Sequence, residues 1–298
     1  MTSTEEVVIR GLPNIGNSCY FNATIQLCKL ISSFNFKDDS NPQNSFIRDI
    51  QSIFQTEDQE SEINKYMRLY GFIANNLRFQ IGDQQDSCEV LQFIIDKYVD
   101  LIDNKDLLLS VFNQIVLCSN CDNYRICNEQ KESMLISHEL NNTTEEEIEF
   151  NQFLNNIVSI QEVDNINTEC NCNSPKAKVQ TIFTSLPNYL FINVGRCKYD
   201  TTKLYKKLKF VKEFTIDYPL DLKQSLNGTD TRKISRTYQL SGIIIHHGNS
   251  SHSGHYASII KMNEDWIYCD DGMIGKVNID NDMEYIQKNC FVLLYSSC

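Results

Sequence analysis

Two segments far apart in this 298-residue chain carry side chains able to do nucleophilic chemistry together. In the first, GLPNIGNSCYFNA over residues 11–23, Gly11, Pro13 and Gly16 punctuate a tight loop, and Cys19 follows just as helical periodicity begins. A thiol in the first turn of a helix feels the positive end of the dipole and unpaired backbone N–H groups, and both favour the thiolate. Those amides, with the side-chain amide of Asn14, are able to hydrogen-bond an oxyanion formed when Cys19 attacks a carbonyl. Taken alone, the segment also reads as a Gly-rich turn leading into a helix, with Cys19 incidental.

The second segment narrows that choice. YQLSGIIIHHGNSSHSGHY, residues 238–256, gives a buried-looking strand, a Gly/Ser-rich loop, and then His255 at the start of another apolar run. A histidine at a loop-to-strand junction is well placed to act as base for a distant thiol. WIYCDDG follows at 266–272 with two adjacent carboxylates, and one of them, on the neighbouring strand, is able to orient the imidazole as the third member of a triad does.

The elements that must hold these groups follow from periodicity. The first third reads as helical: CYFNATIQLCKLI places Ala23, Leu27 and Leu30 on one face, and a helix from Asp86 to about Asp103 buries Val90, Leu91, Ile94, Ile95, Tyr98 and Ile102. After Leu109 strand-like runs dominate, interrupted by an acidic, helical-looking stretch near 145–157. Helices first and strands after indicate an α+β fold, and the absence of a repeat or low-complexity linker favours one catalytic unit.

Composition excludes several classes. Net charge is -12, with 39 acidic against 27 basic residues, a surface that repels phosphate backbones and so excludes nucleic acid as an expected partner. No apolar run approaches the roughly 18 residues of a membrane span. The opening MTSTEEVVIRGLPN lacks a signal-peptide pattern, so the expected location is intracellular, cytoplasmic and/or nuclear. In such a setting the twelve cysteines do not read as a disulfide framework; Cys28, Cys88, Cys197, Cys269 and Cys290 sit in apolar contexts and read as small core residues.

The two segments resemble the Cys and His boxes of the ubiquitin-specific protease family of papain-like deubiquitinases. The resemblance extends to GDQQDSCEVLQFIID at 82–96 and LPNYLFINVGRC at 186–197, so it spans nearly the whole chain. It implies a single catalytic domain over residues 8–298, with a helical thumb (8–109), zinc-ribbon-like fingers (110–184) and a palm sheet built mainly from 185–298. By position it implies Cys19 as nucleophile, His255 as general base, Asp270 as third triad member, Asp271 as its support and Asn14 as oxyanion donor. It places Asp86, Gln85, His246 and Tyr256 at the substrate, with Asp86 suited to an arginine-rich ubiquitin tail. His247 and His252 have no implied role. Structural zinc would be held by Cys118 and Cys121, a CxxC, with Cys170 and Cys172, a CxC; Cys127 is an alternative ligand. No cofactor is expected for catalysis. Ser18, Ser87 and Cys197 depart from the family's usual residues without removing a catalytic group. The implied activity is hydrolysis of the (iso)peptide bond at ubiquitin's C-terminal glycine by a monomeric enzyme. The rival readings are a catalytically silent ubiquitin-binding module and a zinc-ribbon interaction protein.

Overall fold

The computed structural model describes residues 9–31, 45–53, 59–121, 123–127, 131–133, 135–140, 145–158, 160–164, 176–197, 203–226, 228–250 and 253–298. Helices dominate the first part. Helix α1 (Cys19–Cys28) is buried along its whole length, not on one face as its periodicity indicates. Its polar side chains are satisfied inside: Thr24 Oγ1 donates to the Tyr20 carbonyl at 2.8 Å, and Gln26 Nε2 to the Arg10 carbonyl at 2.7 Å. Helices α2 (Ser45–Ser52), α3 (Gln59–Leu77) and α4 (Ser87–Leu101) follow. Asp86 starts α4 as an N-cap, its Oδ1 accepting from the Cys88 N–H at 2.7 Å, which satisfies one of the helix's orphan donors.

Next come β1 (Ser110–Cys118), β2 (Tyr124–Ile126), β3 (Lys131–Ser133), β4 (Leu135–Glu139), β5 (Glu147–Glu149), α5 (Phe150–Ile157), β6 (Ile160–Asp164) and β7 (Lys176–Ser185). The chain continues through β8 (Tyr189–Gly195), β9 (Lys207–Lys209), β10 (Glu213–Pro219) and α6 (Leu222–Leu226). It closes with β11 (Lys233–Ser250), β12 (Ser253–Met262), β13 (Asp265–Asp270), β14 (Met273–Val277), α7 (Met283–Asn289) and β15 (Cys290–Ser297). One sheet has the order β2-β1-β7-β6, with β3 also on β1. The larger has the order β14-β13-β12-β11-β15-β8-β4, with β10 also on β11, and β5 and β9 form a separate pair.

Residues 110–184, expected as one finger region, are therefore divided. β4 leaves the smaller sheet and pairs in parallel with β8, and Phe150 and Phe153 of α5 join the core of the larger sheet. The aromatic side chains of α5 find their apolar partners there.

Period-two alternation makes the larger sheet two-faced. Ile244, Tyr256, Ile260 and Cys269 pack with α1, α3 and α4 in one core. Ile243, Ile245, Ala257 and Ile259, one residue out of phase, pack with α5 and α7 in the other. The helical side comes very close: a Cβ on Gly242 of β11 would lie 2.3 Å from Leu27 Cδ1. This seat sets α1 against β11 and β12 and aims its N-terminus at the end of β12 where His255 sits.

Candidate active site

The site forms where three loops meet: the turn before α1, the start of β12 and the turn after β13. His255 stands directly across from His247 in the β11–β12 register. Its Nε2 meets Asp270 Oδ1 at 2.5 Å, leaving the other ring nitrogen for the Cys19 thiol. The imidazole pKa is pushed up to about 9, first by the hydrogen bond to Cys19 and further by Asp270, against the opposing effect of burial. The two partners thus favour imidazolium. Cys19 itself is 2% exposed.

The adjacent carboxylates divide their work because neighbouring strand residues face opposite ways. Asp270 shares the face of His255, and its second oxygen accepts from the Tyr268 hydroxyl at 3.2 Å. Asp271 turns toward the helices, its Oδ2 lying 4.0 Å from His255 Nε2. Its two oxygens accept from Asn14 Nδ2 at 2.8 Å and Asn22 Nδ2 at 2.7 Å, and its carbonyl accepts from the Leu12 N–H at 2.9 Å. The residue holds a left-handed φ of 49°, a conformation Asp tolerates better than most side chains and one that clusters at functional turns.

Asn14 is fixed on its other side too. Its Oδ1 accepts from the N–H groups of Gly16 at 3.1 Å and Ser18 at 3.3 Å. Flipping the amide would aim N–H at N–H and oxygen at carboxylate, so its orientation is determined. Its second N–H, held in the turn that leads into Cys19, has no hydrogen-bond partner among the described residues and is available to an oxyanion. The turn's closeness to the Asp271 loop depends on Gly11, where a Cβ would lie 2.3 Å from the Gly272 carbonyl oxygen.

A polar cleft of about 560 Å³ adjoins His255, lined by Asn17, Asp83, Gln84, Gln85, Ser253 and Gly254. Gln84 spans it by accepting from the Gly254 N–H at 3.1 Å, and Asn17 Nδ2 ties the Cys19 turn to the Gly82 carbonyl at 2.8 Å. Gln85 is one of the residues lining the cleft. Asp86, next in sequence, is not among the lining residues; its carboxyl pKa is raised by burial against the pull of the Cys88 and Glu89 N–H groups.

Two expected substrate residues are in the core instead. His246 and Tyr256, each 1% exposed, pack together with ring centroids 4.4 Å apart and planes tilted by 46°. Burial pushes the His246 pKa down to about 4, so the ring is neutral. Their register puts them on the helix-facing side, one residue out of phase with His255.

The structure resembles solved ubiquitin-protease complexes over its full length. It superposes on the Ubp8 DUB module bound to ubiquitin aldehyde with a TM-score of 0.77, at 18% identity, covering all of this chain and 72% of that one. A Ubp8 module carrying a cysteine-to-alanine substitution and bound to monoubiquitin gives 0.74 at 19%. These likenesses establish the ubiquitin-specific protease fold. The family model for ubiquitin carboxyl-terminal hydrolases matches residues 10–295. The chain belongs to that family. Among its relatives, ubiquitin carboxyl-terminal hydrolase 20 of Arabidopsis thaliana is 24% identical over 310 residues, 96% of this chain and 43% of that protein. Hydrolase 12 of Salmo salar is 20% identical over 338 residues, 96% of this chain and 89% of that one.

Against this family background, the structure brings Cys19, His255, Asp270, Asp271 and Asn14 together. Asn22, Tyr268 and Gln84 were not singled out in the sequence. Asn22 lies three residues after Cys19 and had a positional signal; Tyr268 reads only as a strand residue.

On the metal, the Cys118–Cys121 turn has a knuckle form suited to an ion. Cys118 Sγ accepts from the Asn120 N–H at 3.4 Å, and the Cys118 N–H donates to the Asn123 carbonyl at 2.9 Å. Cys127 does not fit this set. Its N–H bonds the Gln114 carbonyl, four residues back along β1, roughly 13 Å from Cys118 by strand rise, whereas two thiolates on one zinc lie about 4 Å apart. Cys170 and Cys172 fall outside the described residues. His255, Asp270 and Asp271 also lie close enough to ligate an ion, but His255 Nε2 is already committed to Asp270.

Proposed function

We propose that this chain is a thiol-dependent deubiquitinase that hydrolyses the (iso)peptide bond after ubiquitin's C-terminal glycine. The observation that carries the reading is the contact of the Cys19 thiol with an imidazole oriented by Asp270, beside an amide held ready by Asp271. Cys19 as thiolate attacks the glycine carbonyl, and the oxyanion receives the N–H of Asn14 and the backbone amides at the start of α1. His255, as imidazolium, gives its proton to the departing lysine or peptide nitrogen, leaving a thioester. It then takes a proton from water, which attacks the thioester, and returns it to Cys19 as free ubiquitin leaves. A nucleophile as enclosed as Cys19 favours a thin chain end, and a glycine carries no side chain to obstruct it.

Asp86 and Gln85 are proposed to receive the basic tail leading to that glycine. All the reacting groups come from one chain, so the chemistry requires no second subunit. Cys118 and Cys121 are proposed to hold a structural zinc with Cys170 and Cys172; only three residues separate Cys172 from Lys176, whose carbonyl accepts from the Ser119 N–H at 3.3 Å. Bound there, the ion would pin the finger loops and take no part in the chemistry.

The deciding experiment is hydrolysis of a C-terminal fluorogenic ubiquitin conjugate by the wild type and by Cys19→Ala. Turnover that disappears with Cys19 supports the reading. Binding without turnover in the wild type would instead favour the silent ubiquitin-binding module.

A further inference from the structure

Asn22 is 2% exposed and Tyr66, from α3, is 0% exposed, yet both are polar, and they lie two and three contacts behind the oxyanion donor. Tyr66 Oη lies 2.7 Å from Asn22 Oδ1 and 3.1 Å from Ser18 Oγ. The hydroxyl has one proton; given to Asn22 over the shorter distance, it leaves the Ser18 contact to be made with the serine's proton. Ser18 Oγ in turn accepts from the Ile15 N–H at 3.0 Å. Asn22 Nδ2 has two protons and both are used, one on the Pro13 carbonyl at 3.1 Å and one on Asp271 Oδ1 at 2.7 Å. Flipping this amide would set its oxygen against two acceptors, so the Pro13 carbonyl and Asp271 fix its orientation, and the Tyr66 hydroxyl holds its oxygen in place. Asp271 passes that orientation on through its other oxygen to Asn14 Nδ2.

We propose that Tyr66 and Asn22 are positioning residues for the oxyanion amide, acting on Asn14 through the Asp271 carboxylate. The inference rests on the deubiquitinase reading and deepens it by naming what fixes the oxyanion donor. The chain of contacts joins α3, the Cys19 turn and the turn after β13, three segments that must keep register for Asn14 to face the reacting carbonyl. An oxyanion donor misplaced by a fraction of an ångström loses much of its effect because the developing charge exists only near the transition state.

The test is a double-mutant cycle between Tyr66→Phe and Asn14→Ala on the fluorogenic ubiquitin substrate. Phenylalanine keeps the edge-to-face packing of Tyr66 on Phe21, at 5.4 Å between centroids, and removes only the hydroxyl. Tyr66→Phe is expected to lower kcat on the order of tenfold with KM unchanged, while alkylation of Cys19 by iodoacetamide, which forms no oxyanion, keeps its rate. In the Asn14→Ala background the same change is expected to cost nothing further. Asp271→Asn, which keeps the shape but turns one acceptor into a donor, is expected to reproduce the kcat loss and to be non-additive with Tyr66→Phe. Losses that multiply, a loss carried by KM, slowed alkylation, or wild-type kcat in Tyr66→Phe would each overturn the proposal. An inactive wild type, or activity that survives Cys19→Ala, would overturn the deubiquitinase reading instead.

Discussion

The four carboxylate oxygens of Asp270 and Asp271 have different partners, and each carries a consequence. Asp270 holds the ring of His255, so Asp270→Ala should depress kcat more than Asp271→Ala depresses it through Asn14, with KM little moved in either; steady-state kinetics on a ubiquitin conjugate decides the order. The reverse ranking would exchange the two roles. Cys19→Ala should lower turnover by on the order of 10⁴-fold or more while ubiquitin binding, followed by calorimetry, is retained. The same variant tests the electrostatics. His255 is held up to about 9 from an ordinary 6.5, chiefly by Cys19. A raised folded-state pKa means that the imidazolium form stabilises the fold fully below about pH 6.5, a contribution lost as pH climbs through about 9. Removing the thiol should return the His255 NMR titration midpoint toward 6.5; an unmoved midpoint would show that Cys19 is not the partner. At this scale the sequence was informative because catalytic groups are few and their spacing is constrained. Tyr66 and Tyr268 were not legible because a tyrosine in an apolar pattern reads as core; Tyr66 is a core residue, Tyr268 packs half-buried against the core, and their hydroxyls alone have work beyond packing.

The helices and strands matter through the places where they nearly touch. At Gly11 the added Cβ would meet the Gly272 backbone, which cannot step aside as a flexible side chain does. Gly11→Ala should therefore part the Cys19 turn from Asp271, break the Leu12–Asp271 backbone bond and lower kcat by about tenfold or more, with a stability loss of about 1–3 kcal/mol. Wild-type kinetics in that variant would mean that the turns move independently. Asp86 offers a cleaner separation of element from substrate. Asp86→Ala loses the cap of α4 and should cost about 1 kcal/mol, visible as a lowered Tm. Asp86→Asn keeps a capping oxygen and should hold Tm close to wild type while raising KM, provided the carboxylate grips a basic tail. Unchanged KM would leave Asp86 with the cap alone. Helix α4 was readable to within two residues because its apolar positions recur at helical spacing and Asp86 marks its start. The pairing of β4 with β8 was not readable, since a short apolar strand fits either sheet and the choice rests on contacts some fifty residues away.

For the whole molecule, two cores back the two faces of one large sheet, and the smaller sheet extends from it through β7 and β10. The triad and the oxyanion turn lie where the helical core meets the large sheet, so their geometry depends little on the distal end of the smaller one. That arrangement predicts how zinc loss should act. If Cys118 and Cys121 share an ion with Cys170 and Cys172, the metal closes a loop of about fifty residues at the far end of β1, and removing it frees chain entropy there. Cys118→Ser should then lower Tm and raise KM for ubiquitin substrates, while iodoacetamide alkylation of Cys19 keeps its rate. Cys127→Ser should change neither zinc content nor Tm, because the β1–β2 register sets that thiol roughly 13 Å along the strand from Cys118. Elemental analysis of purified protein supplies the independent readout: one zinc per chain, lost in Cys118→Ser and in Cys172→Ser, is the expected result. A zinc that survives Cys172→Ser would show that the CxC half does not complete the site. Metal-free protein with wild-type Tm would show that the smaller sheet is held by strand pairing and packing alone.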